Sequence, residues 1–278
     1  MHSLSRIAHT IMPNPKRQPL VTLPLALLAS LFLASIVIPL AVMSIRALSS
    51  PEELKAAVLN VTIRNAIILS FEAGAITAAL SGIFGIPLAW LLSRFRFPGR
   101  TLVQAVVDLP LTVPHVVAGI SVLFVYGRQG LLGEPLQQIF GLSFWGSLPG
   151  VVVAMLFVSA PYTVSAARIA FDGVDRRLEK VARSLGAGPW STLWRVVLPI
   201  SWRGLLSAVT LSYARAVSEF GSVVIIAYYP MTAPVKIYDL FLRFGLAQAI
   251  AVSFLVLVLS MGVFFMLNLI SRKPRSFT

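Results

Sequence analysis

Asp172-Gly-Val-Asp-Arg-Arg-Leu-Glu-Lys-Val-Ala-Arg-Ser-Leu-Gly-Ala-Gly-Pro-Trp-Ser-Thr-Leu-Trp-Arg-Val-Val-Leu-Pro199 forms most of the longest polar insert in the chain, and long apolar stretches flank it. Asp175 is placed to cap a short helix running to about Leu185, because its carboxylate can accept from the free amides of a first turn. In that helix Leu178, Val181, Ala182 and Leu185 recur at helical spacing and make one apolar face. Arg176, Arg177, Lys180 and Arg183 fall elsewhere. Gly186 and Gly188 end the helix, and Pro189 suits the first position of a second one. Trp190, Leu193, Trp194 and Val197 give the second helix its own apolar face, which Pro199 is expected to stop. Two short amphipathic helices with a tight bend can lie on a membrane surface, anchored by the tryptophans. They can equally dock into a groove on a soluble partner.

The flanks decide what kind of chain carries this insert. Of 278 residues, 57% are hydrophobic and 12% charged, and the mean hydropathy is +0.86. A water-soluble surface needs roughly 25–35% charged residues. Apolar stretches recur along the whole chain, so the solvent is a bilayer and one all-α integral membrane domain is expected. About 20 apolar residues cross the hydrocarbon as a helix, which gives six candidate spans: Val21–Ile45, Thr62–Leu92, Leu102–Val125, Leu148–Phe171, Leu206–Ala227 and Ala249–Ile270. The first run exceeds the roughly 7–15 residues of a signal-peptide core, so it reads as a span. The second is long enough to tilt or to project from the bilayer. Pro110 and Pro114 interrupt the third, which is tolerated where neighbours satisfy the freed carbonyls. Pro149 lies near the start of the fourth, where it does little harm. The segments are continuously apolar, which disfavours a β-barrel.

The formal charge is +13, from 23 Lys and Arg against 10 Asp and Glu. Sixteen of the basic residues flank one side of the spans, six flank the other, and Arg215 falls inside the fifth. Cytoplasmic loops are enriched in Lys and Arg, so both termini and the loops at 94–100 and 172–203 are expected in the cytoplasm. Six spans satisfy that parity. The chain then divides into a cytoplasmic segment at 1–20, one transmembrane domain at 21–271 and a cytoplasmic tail at 272–278. Basic residues spread over span ends mark topology, not nucleic-acid binding. There is no cysteine, which excludes disulfides, thiolate catalysis and cysteine metal sites. Three histidines, two of them at positions 2 and 9, make no metal cluster, and no cofactor is expected.

Ionisable groups inside spans are costly, which makes each a candidate for function. Glu72, Asp108, Arg215 and Glu219 qualify. Arg215 and Glu219, four apart on one expected helix, can pair. That pair either holds the bundle together or lends positive potential to an anion path. Asp108 and Glu72 would repel an anion, so a cap or a pairing with a loop arginine is the expectation for Asp108. His115 reads as a packed, hydrogen-bonded residue or as part of a gate. The third and fifth spans are expected to line a path, with Pro110, Pro114, His115 and Gly119 from one and Arg215, Ser218, Glu219 and Gly221 from the other. Irregular backbone at depth is tolerated where it lines a cavity or is buried in protein, and small residues permit close helix approach.

The insert also resembles a known signature. Permease subunits of binding-protein-dependent ABC importers carry E-A-A, three residues, G, nine residues, I, one residue, L-P. Here Ala182 matches the second alanine, Gly186 the glycine, Val196 the isoleucine and Leu198-Pro199 the close. Lys180 stands at the glutamate position and Val181 at the first alanine, with Glu179 one residue earlier. Gly85-Ile-Pro-Leu-Ala-Trp-Leu-Leu-Ser-Arg94 with Phe97-Pro-Gly-Arg100 is similar to many permeases of this group. Asp108-Leu-Pro-Leu-Thr-Val-Pro-His-Val-Val-Ala-Gly119 and Ser218 to Pro234 resemble the molybdate/tungstate permeases, close relatives of the sulfate permeases.

The resemblance implies the type I ABC importer permease fold. It also implies a homodimer of this chain, two cytoplasmic ATPases and an external oxyanion-binding protein, working by alternating access in the cell (inner, cytoplasmic) membrane. The insert becomes the coupling loop, with Glu179, Lys180, Ala182, Arg183, Gly186, Pro189, Trp190 and Pro199 at the contact. The chain carries no G-x-x-x-x-G-K-[ST] stretch, so it is expected to be a transport subunit and no enzyme. A sulfate importer is the alternative within transport. A passive channel would not need the loop, and a membrane-embedded enzyme would need a nucleophile with a base, or metal ligands, at depth.

Overall fold

The computed structural model describes residues 18–271. Almost all of the expected 1–20 segment, and the whole 272–278 tail, lie outside the described residues. Among those described, every regular element is helical. Five helices are long and apolar enough to cross a membrane, and a helix pair bent by 112° makes a sixth span when counted as one.

The chain divides into two units, the first ending at Leu54. It contains α1 (Gln18–Leu48), a helix apolar all round. Leu23, Leu31, Phe32 and Val37 are all exposed within the chain, as a helix bathed in apolar surroundings permits. α2 (Pro51–Leu59) opens with Glu52 and Glu53 in its first turn, where the helix dipole favours negative charge.

The second unit begins at Lys55, within α2, and continues into α3 (Val61–Arg94), capped by Asn60, whose side-chain oxygen accepts from the amides of Thr62 at 2.9 Å and Ile63 at 3.2 Å. Its 34 residues reach about 50 Å, beyond the ~30 Å hydrocarbon core. There follow α4 (Arg100–Asp108), a 3-10 turn at Leu109–Leu111, α5 (His115–Tyr126), α6 (Gly133–Phe140) and α7 (Leu148–Asp172). Then come α8 (Arg176–Ser184), α9 (Pro189–Thr192), α10 (Leu198–Val217), α11 (Val223–Ile226), α12 (Ala233–Phe244) and α13 (Leu246–Ser271). α3, α7 and α10 pack mutually as the core, and α13 lies against α10 and α12. Two apolar clusters fill this core. One gathers Ala73, Val151, Met155, Ala216 and Val223; the other gathers Ala89, Leu92, Val164, Phe171, Leu193 and Val197. Between them Ser81 donates to Thr163 at 2.7 Å, and Ser212 donates to the Ser159 carbonyl at 3.1 Å. Hydrogen bonds and small residues serve where lipid offers no hydrophobic drive for helix association.

The third expected span is broken where its prolines fall, and the fifth is corrected. The third is not continuous. α4 stops at Asp108, and α5 starts at His115 at 112° to the preceding segment. Pro114 has no amide to donate and pushes Val113 out of the helical region. The fifth does not run from Leu206 to Ala227. Its helix begins at Pro189 and continues to Val217. Pro199 therefore does not stop the second loop helix. A π-helical turn at Leu193–Val197 carries the chain past the proline, whose ring would otherwise meet the Arg195 carbonyl. Beyond Val217 the chain leaves the helix, so Glu219 and Gly221 lie on a turn and not on the helix that carries Arg215.

Candidate functional site

The polar insert takes the expected two-helix form at its start. Asp175 Oδ1 accepts from the Arg177 amide at 2.8 Å, and Gly186, at φ +88°, turns the chain out of α8. That backbone conformation is open to glycine at little steric cost. The faces of α8 are reversed from the usual arrangement. Glu179 is its one buried residue, while Leu178, Val181 and Leu185 are exposed, Leu185 at 83%. Glu179 pairs with Arg94 at the end of α3, Nε to Oε1 at 2.7 Å, with both side chains about nine-tenths buried. The same guanidinium donates to the Phe171 carbonyl at 2.7 Å and the Val174 carbonyl at 3.3 Å, closing the end of α7. Arg176 donates to the Ser93 carbonyl at 2.9 Å. One arginine thus ties α3, α7 and α8 together.

The second apolar face is split. Leu193 and Val197 are buried in the core, whereas Trp190 and Trp194 are exposed, stacked edge to face at 5.8 Å between ring centres. Pro189 opens this helix at its first position, Ala182 is half-buried, and Lys180, Arg183 and Pro199 are exposed. The insert therefore presents an outward apolar strip of Leu178, Val181, Leu185, Trp190 and Trp194, held from behind by a buried ion pair.

The second constellation lies where the bent third span meets the turn after Val217. Arg215 Nη2 lies 2.7 Å from Glu219 Oε2 and 3.0 Å from both ring nitrogens of His115. His115 Nδ1 is 3.0 Å from Glu219 Oε2. Glu219 is 1% exposed, and its Oε1 also accepts from the Ser222 amide at 2.9 Å and hydroxyl at 3.0 Å. A buried carboxylate persists only when its charge is paired and its lone pairs are filled, and both conditions are met. Arg215 Nη1 reaches Ser218 Oγ at 3.4 Å.

The bend at Pro114 and the turn after Val217 produce this meeting. A Cβ on Gly221 would lie 2.6 Å from the His115 Cβ, and one on Gly119 would lie 2.9 Å from the Ser222 carbonyl. Only glycines let the two irregular segments approach so closely. Ser222 backs on Ala154, its hydroxyl 3.4 Å from that carbonyl, and Ala154 lies about 27 Å along α7 from Asp172. Six expected path residues, His115, Gly119, Arg215, Ser218, Glu219 and Gly221, thus share one cluster with Pro114 at its edge. Pro110 does not join them. It lines an apolar cavity of about 400 Å³ with Leu80, Phe84 and Phe157.

Asp108 and Glu72 lie apart from this cluster. Asp108 accepts from Gln104 at 3.0 Å and Ser165 at 3.4 Å, with Arg168 bound to Gln104 and not to the carboxylate. Glu72 is on the wall of a polar cavity of about 530 Å³ shared with Asn65, Lys236 and Arg243. On α12, Asp239 is 3% exposed and is met by Tyr228 at 3.0 Å, Lys236 at 3.3 Å and Arg243 at 2.7 Å. Burial alone would raise its pKa. Hydrogen bonds from Tyr228 and Lys236 and the charges of Lys236 and Arg243 outweigh burial and hold it below the usual carboxylate range. The sequence does not mark Arg94, Ser222 or the α12 cluster as site residues. Arg94 and Glu179 are far apart in the chain, and no local periodicity announces their pairing.

Residues 81–276 match the family described as binding-protein-dependent transport system inner membrane component. The molybdate/tungstate transport system permease protein WtpB of Thermococcus kodakarensis is 37% identical over 249 residues, covering 89% of this chain and 95% of that protein. A probable sulfate transport system permease protein, cysT, of Chlorokybus atmophyticus is 36% identical over 195 residues, covering 69% and 68%. A subunit in the crystal structure of a bacterial alginate ABC transporter, in complex with an alginate pentasaccharide-bound periplasmic protein, superposes with a TM-score of 0.73 at 18% identity, covering 92% of this chain and 95% of that one.

Proposed function

Because the chain belongs to the family of binding-protein-dependent transport system inner membrane components, and is the permease subunit of an ABC importer, we propose that its cargo is an oxyanion, molybdate or tungstate, delivered by an external binding protein. Two copies form the path, each coupled to a cytoplasmic ATPase. Both termini and the 172–203 loop face the cytoplasm of a cell whose inner membrane houses the 21–271 domain, with short cytoplasmic segments at 1–20 and 272–278. The excess of Lys and Arg on that side supports the orientation.

The observation that carries the coupling is the reversed face of α8. α8 buries Glu179 against Arg94 and turns Leu178, Val181 and Leu185 away from the chain, which supports a face for the groove of a partner protein. Lys180 and Arg183 flank that strip. On ATP binding the two ATPases close and draw the coupling loops together. The Arg94–Glu179 pair passes that movement to α3 and α7, the path opens outward, and hydrolysis returns it.

At depth, Arg215 and Glu219 cancel, so the cluster with His115 and Ser218 forms a weak polar waist and not a deep anion well. A conduit fed by a binding protein needs no more than that. An Arg215→Ala variant that folds, couples and transports at the parent rate would remove it from the path. The likeness to a sulfate permease keeps sulfate as the second reading. The chain reconstituted with its ATPase and candidate binding proteins should hydrolyse ATP faster with molybdate or tungstate than with sulfate or phosphate. Equal or greater stimulation by sulfate would overturn the choice of cargo.

A further inference from the structure

A third cavity, of about 320 Å³, lies between α8 and the last turns of α3. Its wall is formed by Trp90, Arg94 and Phe95 on one side and by Arg176, Glu179, Lys180 and Arg183 on the other, with Pro189 at the edge. Arg94 and Glu179 neutralise each other, which leaves three cations around the space. Arg176 meets a backbone carbonyl. Among the described residues, neither Lys180 nor Arg183 has a side-chain hydrogen bond or ion pair, and the Trp90 indole N–H is buried with no acceptor. Buried donors in native proteins are nearly always satisfied. A wall with surplus positive charge and an orphaned N–H calls for a group with negative charge and several acceptor oxygens.

We propose that this cavity binds a phosphate-type oxyanion, supplied by the head group of an anionic lipid or by a free anion. The volume equals about ten waters, ample for a phosphate and its substituent. The place favours the lipid source. Trp90 sits just over a turn from the end of a membrane helix, packed edge to face on Phe95 with ring centres 5.2 Å apart, and tryptophans are enriched where membrane helices meet head groups. Basic pockets between membrane helices at the cytoplasmic side hold anionic head groups. Leu178, Val181 and Leu185 do not line the cavity, so a lipid and a partner protein can engage opposite flanks of α8 together. A bound oxyanion would brace α8 against α3 beside the Arg94–Glu179 pair. The assignment to the cytoplasmic leaflet rests on the orientation proposed above; the binding itself does not.

The full-length chain, purified in detergent, is tested by native mass spectrometry with phosphatidylglycerol, phosphatidylcholine and inorganic phosphate as separate probes. Phosphatidylglycerol should be retained in preference to phosphatidylcholine. Lys180→Ala with Arg183→Ala should weaken retention about tenfold for each charge-assisted hydrogen bond removed. Trp90→Phe keeps an aromatic ring and removes the donor, and it should weaken retention with the melting temperature little changed. Saturation by inorganic phosphate that displaces the lipid would assign the site to a free anion. Equal retention of both lipids together with no phosphate binding would overturn the proposal. So would variants that keep the lipid and instead shed the ATPase, since the cavity would then belong to the docking surface. Failure of ATP-driven transport would leave lipid retention untouched, which separates this test from that of the importer.

Discussion

Arg94 joins three helices through one side chain. It pairs with Glu179 and holds the carbonyls at the end of α7. Removing one member of a buried ion pair leaves the other charged and desolvated, at a cost of about 3–5 kcal/mol. Arg94→Ala should therefore destabilise the chain by that order. Exchanging the charges, Arg94→Glu with Glu179→Arg, should recover part of the stability and part of the ATPase stimulation. Thermal melting and stimulated ATP hydrolysis check the two effects separately. A swap that restores melting without stimulation would confine the pair to holding the fold. Glu219, buried in the second constellation, poses the same physical problem and resolves it with Arg215, His115 and two donors from Ser222. The spacing of four brings Arg215 and Glu219 together in the sequence. It does not supply the Ser222 contacts, because these depend on the helix ending at Val217.

At the scale of elements, α8 and the start of the fifth span turn an apolar strip away from the chain. Trp190 and Trp194 are exposed while Leu193 and Val197 anchor the same helix in the core. Substituting both tryptophans by alanine should leave the stability of the isolated chain within the narrow range of surface changes, about ±0.5 kcal/mol, as read by melting. It should also release the ATPase, as read by co-purification. Loss of stability with the ATPase retained would instead place the tryptophans in the fold or on the lipid. The periodicity of α8 is legible in its residues, and so is its Asp175 cap. Its orientation is not, because amphipathicity marks an apolar face without saying whether core, lipid or partner covers it. The fifth span is displaced from its expected bounds for a related reason. Hydropathy follows apolar runs, and it reads neither a π turn that rescues Pro199 nor a carboxylate that folds back on its own turn at Glu219.

For the molecule as a whole, α12 and its Asp239 cluster set an acid limit on stability. The folded protein holds Asp239 ionised below the ordinary value of 3.8, so its contribution is complete above that pH and falls as pH drops through the folded value. Asp239→Asn should remove this acid dependence, as followed by melting between neutral and acid pH. An unchanged pH profile would show that Lys236, Arg243 and Tyr228 do not favour the charged form. The cluster also shows what a whole structure adds, since Asp239, Tyr228 and Arg243 come together only once α12 has folded back beside the turn that precedes it.

The amino-acid sequence by itself determined the solvent, the number of spans, the charge asymmetry across them and the spacing of the loop from Gly186 to Pro199. Each is a local or additive property: apolar length, basic residues at span ends, a glycine where the backbone turns left-handed. Only the tertiary structure decided which way α8 faces, that Arg94 holds it, and that Pro114 and Gly221 bring His115 onto Arg215 and Glu219. Those outcomes depend on pairings between distant segments and on where helices break. In a bilayer the hydrophobic effect places helices in the membrane without choosing their neighbours. The choice falls to close packing, buried hydrogen bonds and a few ion pairs, and these are not written in hydropathy.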